Sequence, residues 1–219
     1  MSDGFGRLAQ VYEGLERTIF SGLLTRARNA CLSDLGEADA ILILGEGDGR
    51  FLLSLLTHHP RAHVTVLENS AGMIRRAEAR VRAHLPDACA RVTWWHQDAL
   101  TTPLPAAHYD AVVTLFFLDV FSETMLRLLV PNLSRSLKPG GRWLVTDFAA
   151  PHTLSGWVQP YSRVLVALMY TFFRFQTALP AKTVVPPQPF LQACGLEPVR
   201  TQNFRGGFVY TQIWRKPIS

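Results

Sequence analysis

Apolar runs alternate with amphipathic stretches along this 219-residue chain. Period-two or wholly apolar runs at Ala40 to Leu44, His63 to Glu68, Arg91 to His96, Asp110 to Phe116 and Arg142 to Phe148 predict five strands. Helical spacing fills the intervals. Phe51, Leu52, Leu55 and Leu56 mark one apolar face, Met73, Ala77 and Val81 a second, and Leu126, Leu129, Leu133 and Leu137 a third, with Ser122 placed to cap it. Such alternation predicts parallel strands joined by crossover helices, with both faces of the sheet covered. After Pro151 the pattern changes: an irregular segment leads to an apolar stretch from Tyr161 to Leu179, then prolines, then a short helix stopping at Gly195. Glu197 to Asn203 and Phe208 to Arg215, separated by Arg205, Gly206 and Gly207, read as an antiparallel hairpin.

Composition adds bounds. With 48% hydrophobic and 18% charged residues the chain is that of one globular domain, with no low-complexity tract or repeat. Cys31, Cys89 and Cys194 lie far apart, which predicts reduced thiols in a cytoplasmic protein and neither a Cys-x-x-Cys metal site nor an even disulfide set. The opening residues MSDGFGRL lack the basic and apolar regions of a secretory signal, so export is not expected. The segment VLVALMYTFF, 164 to 173, falls short of the roughly 20 residues a membrane span needs. Core packing is the first reading of it, and contact with a membrane surface, with Arg163 and Arg174 at headgroup level, the second.

The formal charge of +5 allows anionic partners, but outside Arg75, Arg76, Arg80 and Arg82 the basic residues are scattered. Those four read as the solvated face of a helix rather than a nucleic-acid patch. His58 and His59 read as surface loop, and His96 and His108 have no metal-spaced partner, so no metal site is expected.

The stretch ILILGEGDGRFL carries the first chemistry. Gly45, Gly47 and Gly49 occupy the turn after the first strand, where an open α/β sheet binds its ligand and where a Cβ would block close approach to the main chain. Arg50 stands where the dinucleotide fingerprint Gly-x-Gly-x-x-Gly has its last glycine, and no Gly-Lys-Ser/Thr follows. The turn suits a nucleoside with no pyrophosphate to cradle. Glu68 ends the second strand, where a carboxylate accepts hydrogen bonds from ribose hydroxyls; the competing reading makes it a helix cap. The third strand ends similarly and puts Asp98 at the rim.

In order along the chain, ILILGEGDGRF, VTVLENSAGM, VTWWHQDALTTPLP, YDAVVTLFFLDVF and SLKPGGRWLVTDFAAP resemble the motifs of class I S-adenosylmethionine-dependent methyltransferases. TDFAAP and GGFVYTQIWRKP are most similar to the ubiquinone/menaquinone C-methyltransferase-like small-molecule methylases. The resemblance implies an α/β fold: a Rossmann-like, seven-stranded, mostly parallel sheet with an antiparallel last strand and helices on both faces. It implies one domain over 1–219, with an N-terminal helical cap at 1–32, a cofactor-binding core at 33–150, a substrate-side insert at 151–186 and a C-terminal helix and hairpin at 187–219.

S-adenosyl-L-methionine is the cofactor so implied. Gly45, Gly47 and Gly49 would line its methionine and ribose portions, Glu68 with Asn69 beside it would hold the ribose, and Asp98 the adenine amino group. Ala99 and Met73 would flank the ring, Leu115 and Phe116 would border the sulfonium, and Tyr12 would serve as a lid. The family places an acidic residue two positions before the first glycine, where this chain has Ile43; Glu46 could supply that charge.

The implied activity is in-line methyl transfer to a small, apolar acceptor. His152, Tyr161 and Asp119 are the candidate bases if the acceptor must lose a proton. Two other functions stay open: an RNA or protein methyltransferase, and a non-catalytic module that binds S-adenosylmethionine or S-adenosylhomocysteine. Against the first, TLFFLDVF stands where amino-group methylases carry Asn/Asp-Pro-Pro-Tyr/Phe, so nucleic acid is not an expected partner. The acceptor atom and the oligomeric state are not readable.

Overall fold

A computed structural model describes residues 22–149 and 184–218. Helix α1 (Leu23–Asn29) precedes a sheet whose strands are β1 (Ala40–Leu44), β2 (His63–Glu68), β3 (Val92–His96), β4 (Tyr109–Leu115), β5 (Leu137–Phe148), β6 (Glu197–Phe204) and β7 (Val209–Arg215). The connecting helices are α2 (Arg50–His58), α3 (Ala71–His84), α4 (Glu123–Ser136) and α5 (Gln188–Ala193).

The strand order is β3-β2-β1-β4-β5-β7-β6. The first five strands pair in parallel, and β7 runs antiparallel to both β5 and β6. The Rossmann-like architecture that the resemblance implies is therefore the observed one.

Because side chains alternate across a strand, β1 feeds two cores. Ile41 and Ile43 join Val113, Leu144 and the α2 residues Phe51, Leu52, Leu55 and Leu56 on one face. Leu42 and Leu44 join Val112, Trp143, the α4 residues Leu126, Leu129, Val130 and Leu133, and Leu23, Leu24 and Ala27 of α1 on the other. Ser122 caps α4 as expected, its Oγ accepting the Met125 N–H at 3.4 Å.

Four details differ from the sequence reading. Leu137 begins β5 rather than ending a helix, and the register shifts between the pairs Tyr109–Leu137 and Ala111–Arg142. Ile74, not Met73, completes the buried face of α3 with Ala77 and Val81. His59 is buried, with Nε2 at 3.3 Å from the Leu32 carbonyl, so it is no surface-loop residue. Arg80 leaves the solvated face of α3 and reaches Asp48. The stretch from 164 to 173 lies outside the described residues; among the described ones no helix is long and apolar enough to cross a membrane.

Candidate functional site

Strand order reverses between β1 and β4, which opens a crevice beyond their carboxyl ends. The turn 45–49 leaves β1 there, with φ of 65°, 72° and 86° at its three glycines, the left-handed region that side chains avoid. The three are bare for different reasons. A Cβ on Gly45 would stand 2.5 Å from the Phe117 ring, and one on Gly49 would stand 2.8 Å from the Ala77 backbone in α3. A Cβ on Gly47 would meet nothing within 4 Å. Two glycines fit the protein to itself; Gly47 leaves its main chain open to a ligand.

Glu68 and the turn are joined directly. Its Oε2 accepts the Gly47 N–H at 3.3 Å, and its Oε1 accepts the Ser70 N–H at 2.9 Å. The helix cap is Ser70 instead, whose Oγ accepts the Met73 N–H at 3.3 Å. A carboxylate offers about four lone-pair sites, so two bonds leave Glu68 capacity for hydroxyl donors.

From the other side Arg80 holds the turn: Nε donates to the Asp48 carbonyl at 2.8 Å and Nη2 to Oδ2 at 3.2 Å. Arg50 shares the same Asp48 oxygen at 3.0 Å. With all three side chains about a third or more exposed, this cluster contributes geometry more than energy.

Glu46 points the other way along the turn. Its Oε1 accepts the Leu52 N–H at 2.9 Å in the first turn of α2, where an anion is favoured. Its Oε2 is buried and meets no hydrogen-bond partner among the described residues. Burial pushes this carboxyl up to about 8, against the pull of the Leu52 and Phe51 N–H groups and the Arg28 charge. Arg28 itself sits over the Phe116 ring, 5.2 Å from its centroid. Phe116 adopts φ 53°, a conformation that costs a non-glycine residue about 1–2 kcal/mol. Its N–H, bonded to the Thr146 carbonyl at 2.6 Å, and its ring, 4.8 Å from that of Phe148, hold it there.

Two strands away, Asp98 follows β3. Its Oδ1 accepts the Leu100 N–H at 2.9 Å, which shapes the loop and buries Ala99. The Asn69 carbonyl lies 3.2 Å from His96 Nε2, tying the exits of β2 and β3 together. Met73 stays half-buried on the first turn of α3.

On the far side of the reversal Asp119, in a 3₁₀ turn at Leu118–Val120, meets Asp147 near the end of β5. Asp147 is fully buried; its Oδ1 accepts the Phe117 N–H at 3.1 Å, and its register partner on β7 is Tyr210. Burial pushes Asp119 up to about 7 and lifts Asp147 well above the carboxylate range, the Asp119 charge adding to the latter. Burial and the Asp147 charge also raise the Tyr210 phenol, opposed by the Gln188 side chain. Two carboxyls so close retain a proton near neutrality.

The structure thus gathers Gly45, Glu46, Gly47, Gly49 and Glu68 at one turn, sets Leu115 and Phe116 across from them at the end of β4, and carries Asp98 and Ala99 in the loop after β3. Asp119 belongs to a separate acidic cluster. Tyr12, His152 and Tyr161 lie outside the described residues. Sequence reasoning missed Arg28, Arg80, Phe117, Asp147 and Tyr210. Only Asp147 left a signal, a charge inside the otherwise apolar run LVTDF. Among the described residues no His, Cys, Asp or Glu cluster could hold a metal ion.

Comparison with known proteins agrees with this geometry. A methyltransferase domain family matches residues 41–141. A ubiquinone/menaquinone biosynthesis C-methyltransferase of Syntrophotalea carbinolica is 34% identical over 163 residues, 73% of this chain and 66% of that protein. A demethylmenaquinone methyltransferase of Chlamydia trachomatis is 28% identical over 149 residues, 68% of this chain and 62% of that one. The chain therefore spans a little under two thirds of the length of these curated relatives. Among solved structures, the 1,6-didemethyltoxoflavin-N1-methyltransferase of Burkholderia thailandensis, which holds its substrate and S-adenosylhomocysteine, has a TM-score of 0.64 at 17% identity, covering 97% of this chain and 86% of that one; at this identity the likeness is one of fold. Strand order, a glycine turn bonded to the acid of the next strand, and the sequence relatives converge: the chain has the fold of the class I S-adenosylmethionine-dependent methyltransferases and is similar to them in sequence.

Proposed function

We propose that this chain transfers a methyl group from S-adenosyl-L-methionine to a small, apolar acceptor. The observation that carries the reading is the Gly47–Glu68 contact: a bare main chain and a carboxylate, bonded to each other, at the point of strand reversal. The residues present fit the nucleoside. Gly47 leaves room where a Cβ would intrude, Glu68 keeps acceptor capacity for two hydroxyls, and half-buried Met73 offers apolar surface for a ring.

The donor supplies a methyl already activated on a positive sulfur. What the chain must add is alignment, exclusion of water and a place for a proton. As the bond from the acceptor atom to the methyl carbon forms, the bond from that carbon to sulfur breaks and a neutral thioether leaves. A hydroxyl or acidic C–H acceptor also gives up a proton. Asp119 is the group we assign to take it, because its buried setting gives it a proton affinity near that of neutral solution. His152 and Tyr161 remain sequence candidates for the same task.

The relatives' printed activities, on quinone precursors, favour an apolar acceptor, as does the apolar composition of the segment from 161 to 179. A reading as a binder without turnover draws on one observation, that Ile43 is fully buried in the core where the family has an acid. Incubation with methyl-labelled S-adenosylmethionine and a panel of quinols, phenols and thiols separates the two. Label in an extracted small molecule is the expected result; saturable binding with no labelled product would favour the binder, and label in RNA or protein would redirect the assignment.

A further inference from the structure

Ile43 cannot reach a ligand's ammonium group, since its side chain is part of the core that α2 covers. Yet the amino-acid end of the donor is a zwitterion, and both of its charges need partners. The turn offers one of each sign. Glu46 Oε2 is buried with no hydrogen-bond partner among the described residues, an arrangement that costs free energy unless something else completes it. Arg28 lies within electrostatic reach of Glu46 from α1, stacks on Phe116 and makes no ion pair among the described residues.

We propose that Glu46 and Arg28 clamp the amino-acid end of the donor, Glu46 taking the ammonium and Arg28 the carboxylate, and that binding expels a proton from Glu46. The inference rests on the donor assignment above and goes beyond it by naming the ion pair and the proton.

The charged groups that bear on Glu46 are few. Arg28 from α1 and the Leu52 and Phe51 N–H groups of α2 favour its ionised form; burial and Asp48 of the same turn oppose it, and the balance leaves the carboxyl protonated at pH 7. An ammonium seated at Oε2 adds a hydrogen bond and a positive charge together. Both act on the ionised form alone, so the proton leaves as the ligand enters. Affinity for a zwitterionic ligand then rises with pH until Glu46 is ionised in the free protein as well.

Titration calorimetry of the whole chain at pH 7 tests this, run in two buffers of different ionisation heat. S-adenosylhomocysteine is one ligand and 5′-methylthioadenosine, the same nucleoside thioether without the amino-acid end, the other. For S-adenosylhomocysteine the expected result is release of about one proton per site, and for 5′-methylthioadenosine no release. Glu46→Gln keeps an oxygen for the Leu52 N–H. It should abolish the release and weaken S-adenosylhomocysteine about tenfold or more, leaving 5′-methylthioadenosine unchanged. Arg28→Ala should weaken the same ligand selectively. Binding of S-adenosylhomocysteine without proton release, or equal losses for both ligands in Glu46→Gln, would overturn the clamp while leaving the donor assignment standing. Failure of the wild-type chain to bind either ligand would overturn both.

Discussion

The Glu68 carboxylate and the Gly47 N–H meet at 3.3 Å, so the tip of β2 and the turn after β1 form one unit before any ligand arrives. Such preorganisation reduces what binding must spend on ordering. Glu68→Ala removes the carboxylate proposed to accept the ribose hydroxyls and also the tether of the turn. We expect a ten- to hundredfold loss of donor affinity, from charge-assisted bonds of about 1.5–3 kcal/mol each. Calorimetry that found the affinity unchanged would remove Glu68 from the site.

The three glycines separate stability from binding. Gly49→Ala drives a methyl to 2.8 Å from the Ala77 backbone at a φ of 86°, and neither α2 nor α3 can yield cheaply. It should lower the unfolding free energy by about 2–4 kcal/mol. Gly47→Ala meets no such neighbour, so its stability cost should stay near the left-handed strain alone, about 1–2 kcal/mol, while donor binding falls sharply. Chemical denaturation and calorimetry on the two variants, compared side by side, check the contrast.

Asp119 ties rate and stability to pH with opposite signs. Burial raises it to about 7, so the fraction able to accept a proton, and with it the rate on a hydroxyl acceptor, should climb as pH passes through 7. Asp119→Asn should flatten that limb. A raised carboxyl also binds more protons folded than unfolded. The stability it contributes is complete below about pH 4 and is lost as pH rises through about 7. The melting temperature of the ligand-free protein should fall between about pH 4 and pH 7, and less so in Asp119→Asn; parallel melting curves for the two proteins would refute the assignment.

The sheet and the glycine turn beside Glu68 were legible because their signals are local. A wholly apolar run gave β1 and a period-two run β2 to the residue, and a glycine cluster after a strand needs only its neighbours to be recognised. What stayed hidden depends on distant partners. Arg80 looks like any exposed helical arginine until Asp48, 32 residues back, is folded against it. Tyr210 and Asp147 become neighbours only through an antiparallel register set by the whole C-terminal hairpin. The start of β5 was missed because Leu137 continues the helical spacing of Leu126, Leu129 and Leu133, whereas the chain has already turned there and pairs with Tyr109 ahead of a register shift.

Because β7 slots between β5 and β6, the two halves of the crevice are completed at different moments of synthesis. The glycine turn, Glu68 and Asp98 all precede residue 100, while the register partner of Asp147, Tyr210, is made only with the last strand. A nascent chain halted before that strand would carry the glycine turn and both acids, Asp119 and Asp147, with Asp147 still lacking the strand that pairs beside it.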